Sequence, residues 1–441
     1  MSAEEAVADD PLGAAVCDAR ERYAARRPRT RLLHERARKV MPGGNTRTTL
    51  YHRPFPIRVD EARDAVLTDV DGHDYVDLLG DYSAALYGHS HPVIVRAMTE
   101  ALGRGLGRGT HTPYEVDLAE AVTDRFASIE QVRFTNSGTE ANLMALAAVR
   151  AYTGRDRILV FEGGYHGGTL TFSSPSSPVN APYEFVVAPY NDADEAVRVL
   201  RENAGSIAAV LVEPMLGASG CIPGDPAFLR TLRDTTRETG ALLVLDEVMT
   251  SRTGAGGLQE RLAIAPDLTT LGKYLGGGAS FGAFGGSAEV MGVFDPTRAG
   301  GLPHGGTFNN NSLSMSAGRA GLVDVYTPRR ADEHTARGDR LRADLNDVLD
   351  AAGVRFQVTG VGSLMAFHPT RQPVRRPSDL RGADPRPLEL LFLDLLEEGY
   401  YIAARGYLAL SLAVTDGQLE GFLRAVERVV RHRGALYATA G

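Results

Sequence analysis

Cysteine is scarce in this sequence of 441 residues, and long apolar runs are absent. The two cysteines, Cys17 and Cys221, exclude a disulfide scaffold, and neither has a CxxC partner that would indicate a zinc site. No window approaches the ~18 uninterrupted apolar residues of a membrane-spanning helix. The acidic N-terminus has no apolar stretch behind basic residues, so a secretory signal is not indicated. We therefore expect a cytoplasmic protein with reduced thiols, no metal site and no membrane association.

Composition indicates a globular protein without a nucleic-acid partner. The net charge is −8, which gives no basic surface for a polyanion. Hydrophobic residues make up 43% and charged residues 23% of the chain, as in ordinary globular proteins. The 49 glycines fall in short clusters beside hydrophobic runs, which predicts tight turns and close approach of the backbone to a ligand.

Apolar patterning predicts an α/β fold with a mostly parallel sheet flanked by helices, and a smaller α+β domain. The short apolar runs at residues 158–161, 209–213 and 241–246 are typical of strands buried on both faces. A helix at residues 226–238 separates the last two and gives the spacing of a βαβ unit. We expect a charged N-terminal tail or helix (1–30), a segment associated with the small domain (31–75), a large domain (76–330) and a C-terminal small domain (331–441). Residues 1 to about 30 are interpreted as a frayed helix or mobile tail, and the arginine-rich run at residues 20–31 as a solvated helix face, with an anionic partner as the alternative.

Lysine occurs only twice, at Lys39 and Lys273, although Lys and Arg together number 47. Lys273 lies in the apolar, glycine-rich segment 271–278. Burial lowers the pKa of a lysine and makes its amine nucleophilic, as a Schiff-base lysine requires. The alternative is a side chain that reaches solvent. Because the chain otherwise uses arginine, a lysine at this point indicates that amine chemistry is needed.

Residues 134–142, FTNSGTEAN, end a strand with a turn of small residues and begin an Ala-rich helix. Backbone N–H groups at this helix start, with the hydroxyls of Ser137 and Thr139, would hold a phosphate. Ser137 and Glu140 also form the pattern of a helix capping box. Both interpretations can hold, because a capping site is also an anion site.

Two further motifs complete one chemical pattern. Residues 163–168, GGYHGG, leave the ring of Tyr165 free to stack on a planar cofactor, with a plain turn as the alternative. Asp246 and Glu247 end an apolar strand, where ligands bind in open α/β sheets, although a strand-end cap explains them equally well. Lys273 follows Asp246 by about 27 residues. Together the motifs describe a pyridoxal phosphate site, with Asp246 holding the pyridine nitrogen protonated and Lys273 forming the Schiff base.

From about residue 35 to its end, the chain resembles the class III, fold type I aminotransferases, close to glutamate-1-semialdehyde aminomutase-like enzymes. Within that group it looks most like the β-amino-acid (β-phenylalanine-type) aminotransferases. The resemblance is carried by residues 41–47 (MPGGNTR), 133–142 (RFTNSGTEAN), 217–224 (GASGCIPG), 246–252 (DEVMTSR), 271–274 (LGKY) and 306–311 (GTFNNN). The Asp-Glu-Val and Gly-Lys motifs belong to the whole class, whereas Asn-Thr-Arg at 45–47 and Ala-Arg-Gly at 404–406 point to the β-amino-acid branch.

This resemblance implies pyridoxal 5'-phosphate as cofactor and a homodimer with shared active sites. Lys273 would be the catalytic Schiff-base lysine and proton shuttle, Asp246 the partner of the pyridine nitrogen, and Thr307 a contact to the phosphate of the neighbouring subunit. Val248 and Tyr165 would pack on the two faces of the ring. The cofactor-binding residues implied in this way are Ser137, Gly138, Thr139, Tyr165, His166, Glu213, Asp246, Val248, Lys273 and Thr307.

The substrate site implied by the resemblance contains Arg47, Arg405, Tyr82 and Tyr87. The two arginines are expected to clamp carboxylates, because a planar guanidinium suits bidentate carboxylate binding. The chain departs from the closest pattern at residues 80–82, Gly-Asp-Tyr, and has Ala403-Ala404 before the arginine where the relative has Ser-Pro.

We expect an enzyme that moves the amino group of a β-amino acid with an aromatic or aliphatic side chain to a keto acid such as 2-oxoglutarate or pyruvate. The alternatives are an aminomutase of the glutamate-1-semialdehyde type, a specialised biosynthetic aminotransferase and a non-catalytic cofactor-binding regulator. The last is disfavoured because a charged N-terminal segment of about 30 residues is too short for a DNA-binding domain.

Overall fold

The computed structural model describes residues 10–173 and 177–439. The helices there are α1 (Pro11–Arg26), α2 (Pro28–Arg38), α3 (Pro92–Gly103), α4 (Pro113–Arg125), α5 (Gly138–Thr153), α6 (Ala193–Glu202), α7 (Pro226–Thr239), α8 (Gly257–Leu262), α9 (Ala288–Met291), α10 (Ser312–Arg319), α11 (Pro328–Ala351), α12 (Arg386–Glu397), α13 (Asp416–His432) and α14 (Gly434–Thr439). Within the described ranges, no helix combines the length and hydropathy that crossing a lipid bilayer requires.

The strands are β1 (Val59–Arg63), β2 (Val66–Asp69), β3 (Asp74–Asp77), β4 (Gln131–Thr135), β5 (Arg157–Phe161), β6 (Glu184–Ala188), β7 (Ile207–Val212), β8 (Met215–Leu216), β9 (Ile222–Pro223), β10 (Leu242–Asp246), β11 (Leu268–Gly272), β12 (Gly282–Gly286), β13 (Gln357–Val361), β14 (Leu364–His368), β15 (Tyr400–Tyr401) and β16 (Tyr407–Ala409).

A seven-stranded sheet in the order β4-β12-β11-β10-β7-β5-β6 forms the centre of the large domain. The neighbours from β11 to β6 are parallel, and β12 runs antiparallel to both β11 and β4. The α/β class expected from the apolar runs is therefore confirmed.

Both faces of this sheet are covered by helices. Val210 and Val212 of β7 pack with Phe228 of α7 on one face. Leu211, between them, packs with Ala145 of α5 on the other face. Since successive side chains of a strand point to opposite faces, an unbroken apolar strand needs a helix layer on each side.

The smaller unit contains a three-stranded sheet, β13-β14-β16, and a four-stranded sheet, β1-β2-β3-β15. The second sheet joins N-terminal and C-terminal segments, because Tyr400 of β15 pairs in parallel with Val76 of β3. One hydrophobic cluster contains Phe55 and Tyr75 together with Leu391 and Phe422 of α12 and α13. This packing supports an association of residues 31–75 with the small domain, although the exact boundaries stay a prediction.

Residues 11–26 form a helix, as one form of the expectation for the N-terminal region has it, and residues 1–9 lie outside the described residues. The interpretation of residues 20–31 as a solvated helix face holds for the exposed Arg26, Arg29 and Arg31 but is wrong for the buried Arg27. Helix α1 buries Leu12, Val16, Ala19 and Tyr23 in the small-domain core. Its arginines pair with acids of α12, as in the 2.6 Å contact of Arg20 Nε with Glu389 Oε1. The anions that these arginines meet therefore belong to the same chain.

Candidate active site

The predicted chemical residues meet at the carboxyl edge of the large sheet. Asp246 is the last residue of β10, Lys273 follows β11 directly, and Ser137 follows β4 and caps α5. These three strands run in the same direction, because β12 between β4 and β11 is antiparallel to both. Ligands of open α/β sheets bind at this edge.

Asp246 is buried, and its carboxylate accepts hydrogen bonds from three donors. His166 Nδ1 donates to Oδ2 at 2.7 Å, and Asn142 Nδ2 donates to the same oxygen at 2.9 Å. The backbone N–H of Val248 donates to Oδ1 at 3.0 Å. The carboxylate therefore has a fixed orientation at the strand end, as a partner for a protonated ring nitrogen requires.

Asn142 is a site residue that the sequence analysis missed. Its amide nitrogen also lies 3.1 Å from each of two backbone oxygens, those of Gly138 and His166, and its oxygen accepts from Thr270 Oγ1 at 2.9 Å. Asn142 thus connects the start of α5, the His166 loop and the Asp246 strand. A polar residue on the buried face of an Ala-rich helix was the available signal.

Lys273 is half-buried. The loss of solvent around its amine lowers the pKa of that group. The carboxylate of Asp81 is the strongest opposing influence on that pKa, and the Arg47 charge adds to the lowering. A lysine with a lowered pKa has more of its amine in the neutral, nucleophilic form. The residue has φ of +58°, a conformation that costs about 1–2 kcal/mol for an L-residue and that clusters at functional sites.

The start of α5 has the properties of an anion site. Ser137 Oγ accepts from the N–H of Glu140 at 3.2 Å, and the Glu140 carboxylate accepts from the N–H of Asn136 at 2.8 Å. Thr139 Oγ1 accepts from the N–H of Gly168 at 3.2 Å, which joins the loop after β5 to the helix start. The helix is 16 residues long, so its free N–H groups and dipole favour a phosphate.

Val248 lies against this helix start. A Cβ atom added to Gly138 would be 2.9 Å from Val248 Cγ1, so only glycine allows the contact. The phosphate-binding turn and the residue expected on one face of the cofactor ring are thus brought together. The residues present fit pyridoxal phosphate.

Tyr165 and Glu213 are joined to each other by a hydrogen bond. Tyr165 is 42% exposed. A ring that stacks on a ligand needs such an accessible face. Glu213 Oε1 accepts from the N–H of Tyr165 at 2.9 Å, and Oε2 accepts from the N–H of Gly217 at 2.9 Å. Burial raises the pKa of Glu213 to about 7. Glu213 therefore fixes the position of the Tyr165 backbone.

Arg47, Tyr82 and Arg405 are brought together as predicted for a substrate site. The Cζ atoms of Arg47 and Arg405 lie 5.8 and 5.1 Å from the centroid of the Tyr82 ring. Arg47 Nη1 also pairs with Asp81 Oδ1 at 2.7 Å. Beside Arg405 lies a cavity of about 260 Å³, whose apolar lining includes Phe367, Leu380, Leu388 and Tyr407.

Two predicted residues lie elsewhere. Tyr87 does not line the substrate site, which corrects the expectation, because its ring is buried in a hydrophobic cluster 6.3 Å from the Tyr274 ring and its hydroxyl lies against Gly321. Thr307 lies in an exposed segment of its own chain, next to Phe308, which is 64% exposed.

A strand-end carboxylate, a lysine of lowered pKa, a helix-start anion site and an exposed aromatic ring define a pyridoxal-phosphate enzyme of fold type I. Residues 49–430 match the family "Aminotransferase class-III". The chain belongs to this family, so it is a transaminase and its cofactor is pyridoxal 5'-phosphate.

Known relatives cover almost the whole chain. The beta-phenylalanine transaminase of Variovorax paradoxus is 48% identical over 426 residues, which are 97% of this chain and 98% of the relative. The solved structure of a beta-phenylalanine aminotransferase from that organism matches with a TM-score of 0.96 at 48% identity, and it covers 98% of this chain and 100% of the other. The glutamate-1-semialdehyde 2,1-aminomutase of Methanothermobacter thermautotrophicus is 38% identical over 414 residues, 90% of this chain and 98% of the relative. The expected family is therefore confirmed.

Proposed function

We propose that this enzyme transfers the amino group of a β-amino acid with an aromatic or aliphatic side chain to a keto acid such as 2-oxoglutarate or pyruvate. The main support is that the guanidinium groups of Arg47 and Arg405 both lie near the ring of Tyr82. An apolar cavity beside Arg405 could hold the side chain of the substrate. Similarity to the Variovorax transaminase supports the same substrate class.

The cofactor, when bound, supplies an electron sink for the electron pair left on the amino-bearing carbon. Lys273 would take the proton from that carbon onto its Nζ and hold it there until the proton is returned to complete the transfer. Asp246, oriented by His166 and Asn142, holds the ring nitrogen in its protonated form. The N–H groups and hydroxyls of residues 137–139 bind the phosphate.

The two arginines divide the carboxylates between them. Arg405 holds the carboxylate of the β-amino acid, because no carboxylate pairs with it in the described part of the chain and its guanidinium is supported by Tyr82 and Tyr407. Arg47 holds the α-carboxylate of the keto acid. Its side chain is 46% exposed and forms an ion pair with Asp81. Arg47 can exchange this ion pair for one with a substrate carboxylate.

The active enzyme is a homodimer with shared sites. The exposed position of Thr307 and of the neighbouring Phe308 side chain supports this proposal. Thr307 of each protomer contacts the phosphate bound by the other. We also keep the prediction of a cytoplasmic enzyme, because the free thiols of Cys17 and Cys221 suit a reducing compartment.

An aminomutase is the alternative favoured by a specific observation, the 38% identity to a glutamate-1-semialdehyde aminomutase. The two activities differ in their need for a second substrate. A transaminase converts its donor in a full cycle only when a keto acid is added, whereas a mutase converts glutamate-1-semialdehyde alone.

A donor and acceptor panel tests the proposal. Purified holoenzyme is given β-phenylalanine, an aliphatic β-amino acid, α-phenylalanine or glutamate-1-semialdehyde, each with 2-oxoglutarate, with pyruvate or with no acceptor. We expect the highest kcat/KM for a β-amino acid, and turnover only with a keto acid. Preference for α-phenylalanine, or conversion of the semialdehyde without an acceptor, would exclude the proposed activity.

A further inference from the structure

Arg252 is a completely buried cation with no carboxylate partner in the described part of the chain. Its Nη1 donates to the backbone oxygen of Ser83 at 3.2 Å, and its Nη2 donates to the backbone oxygen of Leu410. The Nε atom has no hydrogen-bond partner there. Burial lowers the pKa of this guanidinium, and a buried charge matched only by neutral dipoles is unfavourable for folding. A role beyond stability would explain why the charge lies there.

The neighbouring His334 is neutral near pH 7 and is therefore compatible with the Arg252 cation. Its Nε2 lies 3.2 Å from Arg252 Nη2, and burial followed by the Arg252 charge lowers the pKa of His334 to about 3. A neutral imidazole adds no second positive charge beside the guanidinium. The hydroxyl of Tyr326 donates to the backbone oxygen of Arg252 at 2.6 Å and fixes the backbone from which the side chain extends.

Ser83, whose backbone oxygen accepts from Arg252, belongs to an unusual backbone segment. Gly80, Asp81, Tyr82 and Ser83 have φ of +54°, +43°, +51° and +79°, so four successive residues are left-handed and three of them are not glycine. L-residues avoid this region, and such conformations persist only where surrounding contacts impose them. At Gly80 a side chain is excluded, because a Cβ atom would lie 2.7 Å from the Ala409 oxygen.

This left-handed turn, residues 80–83, carries the substrate side of the site. Asp81 pairs with Arg47, and Tyr82 stacks on Tyr407 with 5.5 Å between the ring centroids and contacts Arg405. Arg252 itself follows the Asp246 segment of the cofactor side. The other carbonyl that Arg252 holds, that of Leu410, comes directly after β16.

We propose that Arg252 is a positioning residue for substrate carboxylate binding. Its guanidinium holds the left-handed turn and the end of β16 at a fixed distance from the cofactor-binding strand, so that Tyr82 and the two arginine clamps face the reacting carbon. The inference rests on the proposed function, because it assumes that the Arg47–Tyr82–Arg405 group binds substrate carboxylates. Arg252 contacts neither substrate nor cofactor.

The experiment separates carboxylate binding from cofactor binding and from stability. Holoenzyme variants Arg252→Met and Arg252→Lys are titrated by calorimetry with 3-phenylpropanoate, which has the carboxylate of the proposed donor but no amine. We expect Arg252→Met to weaken binding of this probe about tenfold or more, since a displacement near 1 Å at a site has effects of that size. The dissociation constant of pyridoxal phosphate should stay within about threefold, and Arg252→Lys should recover part of the loss by restoring one donor.

Arg27→Met is the matched control. Arg27 is another buried arginine, 1% exposed, but it bonds to Tyr75 and Glu397 and makes no hydrogen bond to residues 80–83 or to Leu410 in the described part of the chain. We expect it to lower the midpoint of thermal unfolding without changing the affinity for 3-phenylpropanoate. Hydrogen exchange of the peptide covering residues 79–86 should accelerate in Arg252→Lys and not in Arg27→Met.

The outcomes separate this inference from the proposed function. Wild-type enzyme that neither binds 3-phenylpropanoate nor turns over β-phenylalanine would contradict the proposed function. Wild-type enzyme that does both, with Arg252→Met or Arg252→Lys binding the probe as tightly, would overturn the role of Arg252. An equal loss of probe and cofactor affinity would also overturn it. If Arg252→Met does not fold, the decision rests on Arg252→Lys and on its exchange pattern.

Discussion

Arg47 and Arg405 lie over the same aromatic ring, with their Cζ atoms 5.8 and 5.1 Å from the centroid of Tyr82. They come from distant parts of the chain and have different surroundings. Arg47 is half-exposed and paired with Asp81, whereas Arg405 lies beside the stacked rings of Tyr82 and Tyr407, 5.1 and 6.0 Å from their centroids. In a β-amino acid the carboxylate is one carbon further from the amine than in an α-amino acid. Under the proposed function, two separate guanidinium groups beside the Tyr82 ring would bind carboxylates in both geometries.

Replacing the two arginines by alanine should have opposite effects on the two substrates. Arg47→Ala should raise the KM for the keto acid more than the KM for the β-amino acid, and Arg405→Ala should do the reverse. Loss of a charge-assisted hydrogen bond is worth about 1.5–3 kcal/mol, or roughly 10- to 150-fold in kcat/KM. Steady-state kinetics with each substrate varied in turn measures this. If the effects on the two KM values were reversed, the roles of Arg47 and Arg405 would be exchanged. If both effects were small and equal, neither arginine would bind a substrate carboxylate.

Lys273→Ala should abolish transamination, by at least ~10³-fold, because the proton-transfer group is lost. The absorbance band of the lysine-bound cofactor should disappear while the far-UV circular dichroism is unchanged. Lys39→Ala is the matched control, since Lys39 is the other lysine of the chain and is exposed. Borohydride reduction followed by peptide mapping should place the cofactor on Lys273. A label on Lys39 would refute the assignment.

The candidates that local patterns indicated, Ser137, Asp246 and Lys273, lie at or just after strand ends, and the structure brings them to one edge of the large sheet. Sequence reasoning could not separate Tyr82 from Tyr87. The left-handed turn at residues 80–83, of which three are not glycine, brings Tyr82 beside Arg47 and Arg405, whereas Tyr87 is buried in a hydrophobic cluster. The conformation of this turn is imposed by contacts with Arg252 and the Ala409 region, which no local pattern predicts.

The N-terminal helix illustrates the same limit at longer range. Its arginines have the pattern of a solvated face, yet Arg20 pairs with Glu389, 369 residues away in the sequence. Asn142 was missed for a related reason. An asparagine on the apolar face of an Ala-rich helix is a weak signal, and its partners, Asp246 and Thr270, are known only once the helix is packed. Local patterns therefore predicted strand ends and caps, and tertiary pairing decided the rest.

Thr307→Ala should weaken cofactor retention without changing the preference among substrates. One hydrogen bond to a charged phosphate is worth about 1.5–3 kcal/mol, so the dissociation constant of pyridoxal phosphate should rise roughly 10- to 150-fold. Thr307→Ser keeps the hydroxyl and should retain wild-type affinity. Both values are obtained by titrating apoenzyme with cofactor.

Mixed dimers of Thr307→Ala and Lys273→Ala subunits test whether the site is shared. In such a dimer, one site combines Lys273 of the first subunit with Thr307 of the second, and it should bind cofactor with wild-type affinity. Complementation of this kind is impossible if Thr307 acts within its own chain. A monomer with full activity in sedimentation would contradict the dimer as well.

The unfolding free energy should fall as the pH drops from about 6.5 toward 3, and His334 should be one cause. Burial and then the charge of Arg252 lower the pKa of His334 from 6.5 to about 3, with Arg337 and Arg330 acting in the same direction. Between these pH values the unfolded chain binds a proton that the folded chain does not, so acid favours unfolding. Above pH 6.5 both forms are neutral and the residue contributes no slope. Each fully developed proton difference corresponds to about 1.4 kcal/mol per pH unit.

His334→Gln keeps a hydrogen-bonding side chain beside Arg252 but removes this titration. We expect its unfolding free energy, measured by urea denaturation at a series of pH values, to fall less steeply below pH 6.5 than that of the wild type. The buried His52 and His368, whose pKa values burial lowers to about 4, remain in the variant and keep part of the acid slope. The slope of unfolding free energy against pH is the decisive measurement, because a change in packing alters the stability equally at all pH values. Identical slopes for His334→Gln and the wild type would show that His334 does not titrate with unfolding.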